Sequence, residues 1–160
     1  MAGWLEMEAA SGVRLWLEAS STGLMSVRFD APAAEVRRSD PDPILAAAER
    51  ELRAYFAGDL REFSVPLDMR GTDFQKRVWR ELIKIPYGET RSYMGIAEAI
   101  GSPGSVRAVG AANGANPIAI IVPCHRVIGA GGKLVGYGGG LPLKKRLLEM
   151  EARVSGRSLF

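Results

Sequence analysis

Residues 92–114 read SYMGIAEAIGSPGSVRAVGAANG, and this stretch decides the fold of the second half of the chain. Ser92 opens a short helix that ends at Gly101, and Ser102 caps a second helix running from about Pro103 to Asn113-Gly114. Two short helices joined by a tight glycine-containing turn make a helix-turn-helix pattern. The second helix would be the recognition helix, yet its side chains are small and Arg107 is its only long polar one. A helix that reads base edges normally presents several Arg, Asn or Gln side chains. The expectation is therefore sequence-independent binding with Arg107 as the reaching side chain. The alternative is two packed core helices with no nucleic-acid role.

Upstream, Thr72 with Gln75 three residues on forms a capping box, and Phe74, Val78, Trp79, Leu82 and Ile83 make the apolar stripe of the helix that follows. Pro86-Tyr87-Gly88 is a turn. Downstream, Asn116-Pro117 precedes the apolar run Ile118–Val122, which reads as a buried strand delivering Cys124. Gly136-Tyr137-Gly138-Gly139-Gly140 is a loop whose bare backbone suits close approach to a planar ligand. It lacks the pattern of a phosphate-cradling P-loop. A last helix carries Lys144, Lys145 and Arg146 early and Glu149 and Glu151 later. Cations in first helical turns oppose the helix dipole, which points to a functional reason for them.

The first half reads differently. Leu5 and Met7, then Val13, Leu15 and Leu17, then Met25, Val27 and Phe29 alternate with more polar neighbours, and Ser-Gly and Ser-Ser-Thr-Gly turns separate the three segments. Period-two alternation marks half-buried strands of an antiparallel meander. Residues 31–42 form a polar connection. PILAAAERELRAYF from Pro43 is an amphipathic helix with proline in its first turn and Gly58 just past its end. Phe63, Val65 and Leu67 suggest one more short strand. Pattern and charge change near Met69–Gly71, which places the boundary between a 1–68 unit and a 69–160 unit.

Charge follows that boundary. Residues 1–67 hold seven Arg and no Lys against eleven acidic residues, a net −4; residues 68–160 hold fourteen basic against seven acidic residues, a net +7. A basic half suits a polyanion, nucleic acid above all, although a solvated basic face would give the same count.

The sole cysteine and the sole histidine of the 160 residues are neighbours, in Ile121-Val122-Pro123-Cys124-His125-Arg126-Val127. Only a thiolate is a good nucleophile, and an imidazole that takes its proton raises the thiolate fraction. Successive side chains on a strand point to opposite faces, so the pair must sit on a turn, sit in the first turn of a helix, or communicate through a water. One cysteine allows no internal disulfide, and one Cys with one His cannot furnish an ordinary zinc site. No run approaches the length of a membrane span. MAGWLEMEAA carries glutamates and neither the basic start nor the apolar run of a signal peptide, so the expected location is cytoplasmic.

Ile-Val-Pro-Cys124-His125-Arg126-Val127 resembles the active-site motif of the O6-alkylguanine-DNA alkyltransferases. Gly71-Thr72-Asp73-Phe74-Gln75, Ile85-Pro86-Tyr87-Gly88, Ser92-Tyr93, Arg107-Ala108-Val109-Gly110, Asn116-Pro117 and Tyr137-Gly138-Gly139-Gly140-Leu141 resemble family motifs in the same order. The resemblance is strong over about 55–151 and one of pattern only before that. It implies an α+β protein: a small N-terminal antiparallel sheet with a helix, ribonuclease H-like, packed on a mainly α winged helix-turn-helix domain. It implies a single-turnover methylated-DNA–protein-cysteine methyltransferase that flips the damaged nucleotide through the minor groove and needs no cofactor or metal.

Site roles follow from the same resemblance. Cys124 would accept the alkyl group, His125 would activate it, and Glu151 would polarise the His through a water. Asn116 would brace the turn. Tyr93 would lie over the phosphate and hydrogen-bond the guanine ring nitrogen. Arg107 would fill the vacated place in the stack, with Ser102 and Ala108 also at the DNA. The carbonyls of Cys124 and Val127 would accept from the exocyclic amine, the backbone at Gly138 would donate to O6, and Tyr137 and Lys144 would line the pocket. The implied partner is double-stranded DNA with alkylated bases, bound by a monomer or cooperatively. Two departures stand out: the zinc site of human-type members has no ligands here, and the N-terminal Ser-Pro-x-Gly motif is reduced to Ala10-Ser11-Gly12. The rivals are a cysteine hydrolase and a winged-helix regulator with a redox-sensing thiol.

Overall fold

A computed structural model describes residues 4–33, 36–37 and 42–156. The chain divides into two compact units, one holding residues up to Arg70 together with Pro117–Ala119, the other holding Gly71–Asn116 and the residues from Ile120 onward. The three-residue excursion is something a boundary drawn along the sequence does not express.

In the first unit, β1 (Trp4–Ala10), β2 (Val13–Ala19) and β3 (Leu24–Arg28) pair antiparallel, with Leu5 opposite Leu17 and Met7 opposite Leu15. Alternate residues Leu5, Met7, Val13, Leu15, Leu17 and Val27 are buried, as period two requires. The polar connection at 31–42 contains a departure: β4 (Val36–Arg37) pairs parallel to β1 and completes the order β3-β2-β1-β4. Two residues are too short to carry a periodic signal. Much of the rest of that connection, 34–35 and 38–41, lies outside the described residues.

Helix α1 (Pro43–Phe56) starts where the Asp42 carboxylate accepts from the backbone N–H of Ile44 and Leu45, at 2.8 and 3.1 Å. It buries Leu45, Ala48, Leu52 and Tyr55, the three- and four-residue spacing of one helix face. The strand expected over Phe63–Leu67 is absent. The N–H groups of Ser64 and Val65 donate to the Glu51 carboxylate instead, and only Leu67 makes a bridge, to Leu24. Gly23 permits that bridge: a Cβ there would lie 2.6 Å from the Leu67 carbonyl carbon.

In the second unit, α2 (Asp73–Ile83) opens with the complete Thr72/Gln75 capping box. It buries Val78, Trp79 and Leu82, while Ile83 is exposed rather than part of the stripe. Two-residue β5 (Arg91–Ser92) leads into α3 (Tyr93–Ala99), whose first turn is capped by the Ser92 hydroxyl accepting from Gly95 N–H at 2.9 Å. Helix α4 (Val106–Gly114) begins later than expected. Pro103-Gly104 forms a turn, Ser105 is the N-cap residue without a side-chain cap, and the Ser102 hydroxyl bonds that of Ser105 instead of capping. Helices α3 and α4 pack on each other, and the Trp79 indole N–H donates to the Ala112 carbonyl at 2.8 Å, tying α2 to α4.

The apolar run 118–122 is not a strand. Ile118 makes one isolated bridge to Val27, and Ile120 has φ +71, a left-handed residue that turns the chain. Full burial of every residue in the run removes the alternation by which a strand is recognised. The chain then enters a 3-10 turn, Cys124–Arg126, and β6 (Val127–Ile128), parallel to β5. Helix α5 (Leu141–Ser155) follows Gly140 and closes on Gly156 in the left-handed region. Among the described residues no helix is long and apolar enough to cross a membrane.

Candidate active site

Cys124 and His125 lie on a 3-10 turn, not on a strand that would send them to opposite faces. Pro123 ends the buried segment, Cys124 N–H bonds back to Val122 O, and Arg126 N–H bonds Pro123 O, so the three side chains fan out from a tight bend. Cys124 is 7% exposed and His125 is completely buried. Asn116 holds the approach by donating from Nδ2 to Val122 O at 2.8 Å, and its side chain also hydrogen-bonds the thiol.

Helix α5 supplies the next layer. Glu151 is fully buried and accepts directly from His125 Nε2, at 2.7 Å through Oε2. The family resemblance implies a water between these two side chains; the direct contact corrects it, because α5 packs against the turn closely enough to leave no gap. Arg126 adds two bonds to the same carboxylate, Nε to Oε1 at 2.8 Å and Nη2 to Oε2 at 3.1 Å. Gly88 N–H reaches Oε1 at 3.3 Å. Arg126 is held in turn by Nη1 donating to Ile85 O at 2.8 Å, with its guanidinium 5.6 Å from the Tyr87 ring centroid.

This arrangement fixes the protonation states. Burial works against the Glu151 carboxylate, but His125 and Arg126 together hold it well below the usual carboxylate range, so it is ionised. An ionised carboxylate at 2.7 Å from Nε2 takes a hydrogen bond from Nε2–H. Burial lowers the His125 pKa and outweighs the pull of Glu151, leaving the imidazole neutral. The remaining lone pair is then on Nδ1, which is buried and has no hydrogen-bond partner. The site holds a buried base beside its only thiol. Burial raises the thiol itself above its ordinary value, while Asn116 and the Lys144 charge pull it down.

Lys144 is fully buried, an uncommon state for a lysine, and its Nζ donates to Val127 O at 2.7 Å and Val135 O at 2.9 Å. Burial lowers its pKa and the nearby Cys124 sulfur opposes the change. Tyr137 meets the His125 ring edge to face at 6.4 Å, and burial, then the charges of Cys124 and Glu151, push its hydroxyl well above 10. Tyr93, half-buried at the start of α3, is likewise raised by burial and keeps its proton.

The structure therefore brings Cys124, His125, Glu151, Asn116, Lys144, Val127 and Tyr137 into one cluster. Arg107 and Ala108 lie exposed on α4, Ser102 sits in the turn before it, and Gly138 is exposed in the turn ahead of α5. Two residues have no role in the sequence reading. Arg126 belongs to the motif, and its signal is a cation inside an apolar run. Asn113, on the same face of α4 as buried Val109 and Ala112, points Nδ2 at Cys124 O at a long 3.5 Å and hydrogen-bonds Tyr93, while its Oδ1 has no partner.

Comparison with known proteins locates this geometry. A family model described as the DNA-binding domain of 6-O-methylguanine DNA methyltransferase matches residues 73–153, and its ribonuclease-like domain matches residues 14–69. The chain is 68% identical over 112 residues to the methylated-DNA–protein-cysteine methyltransferase of Mycobacterium tuberculosis, covering 69% of this chain and 68% of that one. It is 62% identical over 104 residues to the protein of that name from Methanosarcina acetivorans, covering 65% and 67%. The crystal structure of Mycobacterium tuberculosis OGT in complex with DNA superposes with a TM-score of 0.85 at 51% identity, covering 94% of this chain and 93% of that one.

Proposed function

The chain belongs to the 6-O-methylguanine DNA methyltransferase family, and from that premise we propose that it repairs O6-alkylguanine in double-stranded DNA by moving the alkyl group onto its own Cys124. The observation that carries the reading is that the single thiol sits on a tight turn next to a neutral, buried His125 whose Nδ1 lone pair is unpartnered. A proton can leave the thiol for that lone pair only if the imidazole is not already charged.

In the proposed reaction the Cys124 sulfur attacks the alkyl carbon in line with the bond to O6. A carbon–sulfur bond forms, the carbon–oxygen bond breaks, and its electron pair goes to the guanine. The thiol proton passes through a bridging water to His125 Nδ1, which the thiol does not bond directly, and Glu151 stabilises the resulting imidazolium. Tyr93, protonated before the reaction, passes its proton to the purine ring nitrogen so that guanine leaves as a neutral molecule, and the imidazolium proton then returns to the tyrosinate through water. The ammonium of Lys144 favours the thiolate on the way. Val127 O already accepts from Lys144, and its second lone pair is left for the exocyclic amine of the base, alongside Cys124 O. Backbone N–H groups near Gly138 face the leaving oxygen, and Tyr137 walls the pocket with its ring.

DNA is approached through α3 and α4. Small exposed residues such as Ala108 let the backbone come close to the groove, Ser102 meets the phosphates, and Arg107 takes the place of the extruded nucleotide. Extrusion costs a few kcal/mol, less for a mispaired damaged base. Asn116 keeps the turn rigid while the helix binds. The same pocket is proposed to accept O4-alkylthymine. The protein acts as a cytoplasmic monomer, with cooperative assembly on DNA as a further property to measure.

The product is a thioether, and the chain has no second cysteine to displace the alkyl group. Each molecule therefore reacts once. The test is nucleoside analysis of an O6-methylguanine duplex after incubation: lesions lost should equal protein added. Lesions lost in excess of protein would refute single use, and no loss would refute the reaction.

A further inference from the structure

Arg126 has more contacts than a structural ion pair needs, and they converge on the one carboxylate that touches the base. Glu151 lies 2.7 Å from His125 Nε2. A lone buried carboxylate at that distance favours imidazolium, typically by about 1–3 pH units. Imidazolium carries a proton on Nδ1 and has no lone pair for the thiol proton. Burial is the larger force against this, and the geometry around Glu151 adds to it. Arg126 engages both oxygens of Glu151, at 2.8 and 3.1 Å, and shares Oε2 with the imidazole. Its own position is fixed by Ile85 O and the Tyr87 ring.

We propose that Arg126 is a positioning residue for alkyl transfer: by neutralising Glu151 it holds His125 uncharged, with Nε2–H on the carboxylate and the base lone pair on Nδ1. A lysine would supply the charge without the fork that grips both oxygens. The groups acting on His125 are Glu151 and Lys144 on α5, Arg126 on the turn and Tyr137 on the loop before α5, with Cys124 next to it in the chain. Glu151 is the only acid among them at hydrogen-bond distance, so the pull that burial must overcome depends on how far its charge is compensated. Lys144 acts in the same direction as Arg126 but spends its two bonds on backbone carbonyls.

The chain's single histidine makes the test direct, because 15N-histidine labelling gives one imidazole to follow by NMR without assignment. The wild type should show the Nε2–H tautomer through the neutral range. In Arg126→Gln the titration midpoint should rise by about one pH unit or more. The acid limb of the single-turnover methyl-transfer rate should rise with it, leaving the variant about tenfold slower near that limb for every pH unit by which the midpoint moves. A folded Arg126→Gln with midpoint and acid limb unmoved, even at a uniformly lower rate, would overturn the proposal.

Removing one partner of a buried pair can prevent folding, whereas replacing both is often tolerated. The second arm therefore compares Glu151→Gln alone with Glu151→Gln combined with Arg126→Met. The midpoint should be higher in the double variant, because the uncompensated guanidinium charge is gone. A lower midpoint in the double variant would overturn the proposal as well. The inference rests on the alkyl-transfer reading, and the two fail separately. A wild type that repairs nothing sinks that reading, while the imidazole midpoint, measured without DNA, still decides the role of Arg126.

Discussion

The turn Cys124–Val127 and the exposed face of α4 lie in the same unit and obey opposite rules. In the turn every residue is buried, charged groups included, and Arg126, Glu151 and His125 are bonded into one network. On α4, Arg107 and Ala108 are exposed, and the buried side is anchored by Val109, Ala112 and the indole bond to Ala112 O. Burial is what gives the turn its chemistry: it keeps the imidazole neutral and makes each hydrogen bond costly to lose. Exposure and small side chains are what give α4 its proposed access to DNA. Substitutions should therefore separate reaction from binding.

The largest separation is expected from Cys124→Ala, which should abolish methyl transfer and leave duplex affinity in place. A gel-shift measurement showing that affinity lost in the folded variant would break the comparison. His125→Phe should slow transfer by about 10²–10⁴-fold, the usual contribution of a positioned base, in rapid-quench single-turnover assays. An effect confined to binding would contradict its placement. Arg107→Ala should lower the rate on duplex relative to the rate with free O6-benzylguanine by on the order of tenfold or more, since only the duplex requires extrusion. A ratio that does not change would remove Arg107 from the extrusion step.

Stability should depend on pH through the same turn. The folded His125 pKa lies below its ordinary 6.5, so as pH falls through 6.5 the unfolded chain takes up a proton that the folded chain refuses. Stability is thus fully present above that pH and declines below it. Glu151, depressed in the folded state, adds a second loss that begins as pH falls through 4.5. Urea midpoints should fall between pH 7 and 5 in the wild type and stay flat over that window in His125→Gln; equal slopes would contradict a neutral buried imidazole. The smallest effect is expected at the anchor of α4. Trp79→Phe removes the indole donor from Ala112 O, which keeps the N–H of Ala115, and should cost about 0.5–1.5 kcal/mol, with methyl transfer per folded molecule retained.

What the sequence disclosed follows local signals. Helices α1, α2 and α3 were legible because Asp42-Pro43, the Thr72/Gln75 box and Ser92 satisfy first-turn N–H groups with their own neighbours or, for Pro43, have none to satisfy. The first three strands were legible from alternation. The run 118–122 was not, since a fully buried segment carries no period, and neither was β4, which is two residues long. The start of α4 moved because Pro103-Gly104 makes a turn of its own. Cys124 and His125 announced themselves by being single and adjacent. The grip of Arg126 on Glu151 joins residues 25 apart, and no local pattern encodes it.

One thiol, deprotonated with the help of a neutral neighbour, is consumed in a single methyl transfer. Intact-mass measurement with peptide mapping, after incubation with excess O6-methylguanine duplex, tests it most directly. The expected result is a gain of one methyl group per chain, located on Cys124, with no further gain on longer incubation. An unchanged mass while lesions disappear, or a methyl group on another residue, would contradict it.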